Sequence, residues 1–304
     1  MKKVVIFAIA ILCSVAYTYA QNISIGVKGG LSVPNLTSGG KEYDTPLSEG
    51  YSSRTVGGGG IDIDFELTDM FAIRTGLEYS MQGGVKKGVQ ALPGQPIFDG
   101  IRGSISQQPG GDQLLPVFDN LRPQLPEYVY ADIKSVAKFN YIMLPVQAKF
   151  GWKISKSSPL CVYVSGGIFG SYLLSAKREM SGTSAMFADK NATSMSTFWN
   201  NIHPELPLPQ EVVGAFSAIF AGMDTPQPLD EKTNIKDEIH PFNFGIIGSV
   251  GISYNLSIRN RIFLEGGGNY GFIPLQKDDI NGRNRIGAAT VMLGLSRTFG
   301  KNKS

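Results

Sequence analysis

Eight charged residues stand where charge is hard to hide. Asp62, Asp64 and Glu66 alternate with Ile61, Ile63, Phe65 and Leu67. After Thr68-Asp69-Met70 the alternation resumes with Arg74 and Glu78 among apolar neighbours. Lys28, Lys149 and Glu265 occupy matching places in three other alternating segments. Such a set can do two kinds of chemistry. Paired with one another, carboxylates and cations form a salt-bridged plug; strung along a pore, they relay protons or ions. A hairpin turning at Thr68-Asp69-Met70 would put Asp62 or Asp64 opposite Arg74, a cross-strand pair of opposite sign. That favours the plug for Lys28, Asp62, Asp64, Glu66, Arg74, Glu78, Lys149 and Glu265.

Other chemistries find less support. The chain has two histidines, His203 and His240. A lipid deacylase or protease at a membrane rim needs histidine beside a serine or an acid, and no spacing selects Ser80, Ser171 or Ser175 for that role. Gly266–Gly271 fits the pattern G-x-G-x-x-G, but it lies inside an alternating segment and runs into Phe272-Ile273-Pro274. Dinucleotide binding needs a strand-to-helix turn there. No cluster has metal-ligand spacing, and a net charge of +3 makes no case for nucleic acid. The expectation is no catalytic residue, no cofactor and no metal.

The elements that must position the charges share one rhythm. Eight segments alternate with period two: 23–33, two within 57–82, 140–152, 160–177, 242–254, 262–272 and 289–299. A period of two is a strand with unlike faces. One column carries no charge until Arg297 near the end of the last segment, whose long side chain can snorkel. The other column holds the charges. Leu160–Ala176 is uncharged, yet Gly166, Gly167 and Gly170 argue against a spanning helix. The connections after the second, fourth and sixth segments are short, whereas those at about 34–54, 84–137 and 178–240 are long. Short turns at one end and long loops at the other are the pattern of an up-and-down barrel in an outer membrane.

In a bilayer the apolar column must face lipid, and every backbone polar group must be paired, which closes the sheet. The fold class is therefore all-β: an eight-stranded antiparallel transmembrane β-barrel with long extracellular loops. Aromatics reinforce the reading. Tyr79, Tyr172, Phe244, Tyr270 and Phe272 lie at the loop ends of the apolar column. Phe71, Phe150, Trp152, Tyr254 and Phe299 lie at the turn ends, like the girdles of membrane barrels. Pro145 lacks an amide to give, so a bulge is expected there.

Residues 1–20 carry Lys2 and Lys3, an uncharged apolar run and a small residue at position 20, the grammar of a secretory signal peptide. Leu12 before Cys13 does not suit lipid attachment. Beyond that segment Cys161 stands alone, so no intramolecular disulfide staples the domain of residues 21–304.

The chain resembles the PorT-like outer-membrane β-barrel domain. The resemblance is carried by IGVKGGLSVPNL (Ile25–Leu36), FNYIMLPVQAKFGW (Phe139–Trp152), VYVSGGIFGSYLLSAK (Val162–Lys177), FNFGIIGSVGISY (Phe242–Tyr254) and LGLSRTF (Leu293–Phe299). It implies a small barrel of the Gram-negative envelope, and the namesake's link to a protein secretion system suggests secretion-machinery partners. The long loop at 178–240 and Arg297 depart from the family pattern.

The loops are the natural seat of function. After Pro207 and Pro209, the segment 210–223 sets Val212, Phe216, Ile219, Phe220 and Met223 on one helical face. Residues 113–121, also bounded by prolines, form a second candidate helix. The stripe at 212–223 either packs over the barrel mouth or docks a partner protein or lipopolysaccharide. The expected protein is a monomer, non-enzymatic, contacting outer-membrane lipid. A small-solute channel is the alternative.

Overall fold

The computed structural model describes residues 22–37, 45–47, 49–155, 157–278 and 283–300. The signal-peptide reading of residues 1–20 lies outside them, as do residues 38–44 of the first long loop.

Eight long strands form one antiparallel ring: β1 (Asn22–Thr37), β2 (Val56–Glu66), β3 (Phe71–Pro93), β4 (Tyr128–Lys153), β5 (Leu160–Ser181), β9 (Phe242–Asn255), β10 (Asn260–Gly271) and β11 (Arg285–Gly300). Three short strands, β6 (Thr183–Ser184), β7 (Gln227–Pro228) and β8 (Glu231–Asn234), lie in the connection after β5. The ring closes twice over in sequence terms, because β4 pairs with β5 and β1 pairs with β11 along its whole length, from Asn22–Gly300 to Thr37–Arg285. Closure leaves the ring without a free edge, as lipid requires.

The tight turns link β2 to β3, β4 to β5 and β9 to β10. At the first, the Thr68 hydroxyl accepts from the backbone amides of Met70 and Phe71 at 3.3 and 3.0 Å, fixing the hairpin. The apolar column faces outward. Ile25, Val27, Leu31, Ile61, Leu77, Val164, Ile168, Ile246, Val250, Leu293 and Leu295 are all exposed on the outer wall. Exposed aliphatic side chains in such a band are the lipid-facing surface of a barrel. Aromatic contacts mark its two rims. Tyr172 meets Phe242 at 5.0 Å and Phe244 meets Phe272 at 5.7 Å on the loop side. Phe71 meets Phe150 at 4.9 Å on the turn side, where the Arg297 guanidinium lies 5.8 Å from the Phe299 ring.

Two features differ from the sequence expectation. Pro145 makes no bulge: Thr75–Val146 and Glu78–Met143 keep one register on either side of it, and the Pro145 carbonyl accepts from the Thr75 hydroxyl at 2.8 Å. The register shift falls instead at Asn140/Tyr141, where β5 carries one extra residue. The second long loop is also shorter than it reads. β3 and β4 continue as a paired ladder from Gln82–Phe139 out to Pro93–Tyr128, so residues 84–93 and 128–137 are strand. From Gln82 to Pro93 this hairpin adds roughly 35 Å of strand beyond the outer rim.

The hairpin carries a helical head. Helices α1 (Gly94–Ser106), α2 (Gly111–Leu121), α3 (Met195–Ile202) and α4 (Gln210–Met223) bury Phe98, Ile105, Phe118, Leu121, Met195, Trp199, Phe216 and Phe220 with Val129 of the hairpin and Leu125 just before it.

Candidate functional site

The inward column builds the lumen in two layers. The layer nearer the turns is ionic. Asp64 stands opposite Arg74 in the β2–β3 ladder. Its carboxylate accepts from Arg74 Nε at 2.7 Å and from Nη2 at 3.4 Å, and from Lys149 Nζ at 2.6 Å. Arg74 Nη1 donates to Glu265 Oε2, to which the Tyr163 hydroxyl also donates at 3.0 Å. Lys28 Nζ lies 2.7 Å from Glu78 Oε1, 3.2 Å from Asp62 Oδ1 and 3.9 Å from Glu265 Oε1. Three cations and four carboxylates thus form one connected network spanning β1, β2, β3, β4 and β10. Glu66 is apart from it, accepting from the Ser24 hydroxyl at 3.0 Å near the turn end.

Tyr163 is the member that alternation does not reveal. It sits on the inward face of β5 with its ring 4.4 Å from Lys149 Nζ and 5.4 Å from the Arg74 guanidinium carbon. It fits because the facing residue on β9 is Gly251, where any Cβ would collide with the Tyr163 ring. The available signal is a glycine directly across the ladder from an inward aromatic.

The layer nearer the loops is apolar. Phe139, Tyr141 and Met143 of β4, Phe169 and Leu173 of β5 and Ile286 of β11 pack with Ile235, Ile239 and Leu275 from the loops. The lumen is therefore filled by charge in one half and hydrocarbon in the other, not by charge throughout. A cavity of about 130 Å3 opens at the turn end and reaches Asp64, Lys149 and Arg261. Its continuation between Asp62, Arg74 and Phe263 holds about 10 Å3, room for a single water.

The predicted stripe on α4 is accounted for within the chain. Phe216 stacks on Phe118 at 6.1 Å and meets Trp199 at 5.6 Å; Phe220 stacks on Trp199 at 5.2 Å. Val212, Ile219 and Met223 pack against the same cluster. Phe216 and Phe220 of the stripe are covered by α2 and α3, and Val212, Ile219 and Met223 are partly buried beside them. Among the histidines, His203 rests on Trp199 at 5.3 Å in the head, and His240 donates its backbone amide to Leu275. Ser80 accepts from Gln82, Ser175 accepts from Asn140, and Ser171 donates to the Asn243 carbonyl. No histidine–serine pair forms among the described residues. Gly266–Gly271 lies within β10, and no cluster of three metal-ligating side chains occurs among the described residues.

A closed antiparallel ring with a hydrocarbon outer wall and an enclosed ionic core defines an integral β-barrel of the outer membrane. The chain belongs to the family described as outer membrane protein beta-barrel domain, whose family model matches residues 19–277. Solved structures similar to it include Neisserial surface protein A, at 11% identity and a TM-score of 0.32, covering 91% of this chain and 99% of that one. Another is Ail of Yersinia pestis in complex with the heparin analogue sucrose octasulfate, at 9% identity and a TM-score of 0.32, covering 92% and 99%. A third is OprG of Pseudomonas aeruginosa, at 7% identity and a TM-score of 0.34, covering 93% and 98%. No curated protein matches the chain.

Proposed function

We propose that this barrel is a non-enzymatic, monomeric anchor that holds its helical head at a distance from the outer membrane for contact with an envelope partner. Secretion machinery is the partner class suggested by its PorT-like motifs. The observation that carries this reading is the division of labour along the molecule. The lumen is filled from wall to wall in its outer half by Phe139, Phe169, Leu173, Ile239 and Leu275. The β3–β4 hairpin, by contrast, continues far past the outer rim to support four helices with a core of their own. A pore has no use for an apolar stopper, and a bare anchor has no use for a stalk and head.

Two measurements test this. Across a planar bilayer the refolded protein is expected to show no stable conductance, and reproducible unitary steps would favour the channel reading. Photo-crosslinkers at Ala218 and Asn120, exposed positions on α4 and α2, are expected to capture one envelope protein in intact cells. Crosslinks confined to lipid or lipopolysaccharide would overturn the partner assignment.

A further inference from the structure

Above the apolar layer, where the loops open the barrel, three cations line one stretch of the inner wall without an ion-pair partner among the described residues. Lys86 of β3 lies opposite Ser135, and Arg178 of β5 lies opposite Ala137, so one strand, β4, separates them. Gly84, opposite Ala137, is roofed by the Tyr51 ring and the Ser52 carbonyl, and any Cβ there would press on them. Ser52 and Val85 exchange backbone hydrogen bonds at 2.8 and 2.9 Å, which draws residues 51–54 across the inner wall. Arg54 then reaches the Gln82 carbonyl through Nη2 at 3.3 Å. Lys86 Nζ lies 4.3 Å from the Tyr51 ring and donates to the Leu47 carbonyl. Arg178 is near enough to act on both the Tyr51 phenol and Lys86.

Among the described residues no carboxylate forms an ion pair with Arg54, Lys86 or Arg178. Glu179 pairs with Lys138 and acts on Arg54 only from beyond ion-pair distance, and Glu49 acts on Lys86 without pairing with it. The Nε atoms of Arg54 and Arg178 are buried without a hydrogen-bond partner, as is the Oε1 atom of Gln82, a residue 2% exposed. Buried donors without acceptors are rare in folded proteins and call for an explanation. Guanidinium groups suit oxyanions because they offer forked N–H donors, and an ammonium adds a point charge from a third side. A flat carboxylate presents two oxygens in one plane. Donors arriving from three separate segments match a tetrahedral anion better.

We propose that Arg54, Lys86 and Arg178 form a binding site for a phosphate or sulfate group at the extracellular mouth. Arg54 and Arg178 are half-buried, which leaves the approach open from the loop side. Burial, with repulsion from Arg178 added, holds Lys86 down to about 8, and a bound dianion would reverse that effect.

The test is a thermal-unfolding titration of the detergent-refolded full chain with inorganic phosphate, sulfate and chloride at matched ionic strength. Phosphate and sulfate are expected to raise the midpoint along a saturating curve, and chloride is not. Arg54→Gln and Arg178→Gln should each weaken the apparent affinity tenfold or more, whereas Lys153→Gln, at the turn end of β4, should leave it unchanged. A phosphate curve that overlays chloride overturns the site and requires no variant. So does full affinity in Arg178→Gln. Glucose 6-phosphate distinguishes the source: tighter binding than inorganic phosphate indicates an anion carried on a sugar, and equal binding a free anion.

Discussion

Replacing Asp64 by asparagine keeps the shape of the side chain and removes its charge. Asp64 is 6% exposed and accepts from two cations, Arg74 at 2.7 Å and Lys149 at 2.6 Å. Arg74 would retain Glu265, but Lys149 would keep no carboxylate in reach among the described residues. Removing one partner of a buried ion pair costs about 3–5 kcal/mol. The turn-end cavity reaches Lys149 and lets water share its charge, so the lower end, about 3 kcal/mol, is expected. The assay is equilibrium urea unfolding in lipid vesicles. Adding Lys149→Met removes the stranded ammonium and should return roughly 1–2 kcal/mol, a coupling within the range for residues in contact. A charge swap, Asp64→Arg with Arg74→Asp, looks self-compensating if the two are an isolated pair. In the network it is not: the new cation would face Lys149 and the new carboxylate would face Glu265. Wild-type stability in Asp64→Asn, or full recovery in the swap, would refute the connected network.

Three further perturbations probe other layers. Val250→Arg puts a cation on the lipid-facing wall at a side chain 63% exposed and should cost about 2–4 kcal/mol near the midplane, read by the same unfolding assay. Trp199→Ala empties the centre of the head and should cost it about 3–5 kcal/mol; proteolysis should then cut within 94–127 or 185–230 while heat-modifiable migration of the barrel persists. For Lys86, burial lowers the folded value from 10.5 to about 8, so the unfolded chain binds the proton more tightly between those values. Stability should therefore rise with pH across that window, by roughly 3 kcal/mol. Lys86→Met should flatten the rise when unfolding is compared at pH 7 and pH 10.

How much of this was legible in the sequence follows from where the environment is unforgiving. Inside the bilayer a charge on the lipid face is so costly that the columns of Ile61, Ile63 and Leu77 against Asp62, Asp64 and Glu78 read directly as outside and inside. Past the rim that constraint lapses. On the outer face Lys87 breaks the apolar rhythm, which is why residues 84–93 read as loop although they are strand. The apolar lumen layer was obscured for a related reason: Phe169 and Leu173 put large apolar side chains on the column that elsewhere holds polar ones. Tyr163 finds its hydrogen-bond partner, Glu265, on a strand 102 residues away. The stripe of α4 was visible as a stripe, but its cover comes from Phe118 and Trp199 on other helices, and local spacing carries no record of that.

The pairing of β1 with β11 has a consequence for how the molecule comes to exist. The earliest strand waits for the latest, across the largest span the chain offers, and contacts so remote in sequence form slowly. Until Gly300 meets Asn22, the Ile25–Val33 edge is an open template for stray strands. A ribosome stalled before Arg285 would release a sheet with seven strands and two raw borders, and quality control in the envelope would meet a sticky ribbon in place of a cylinder.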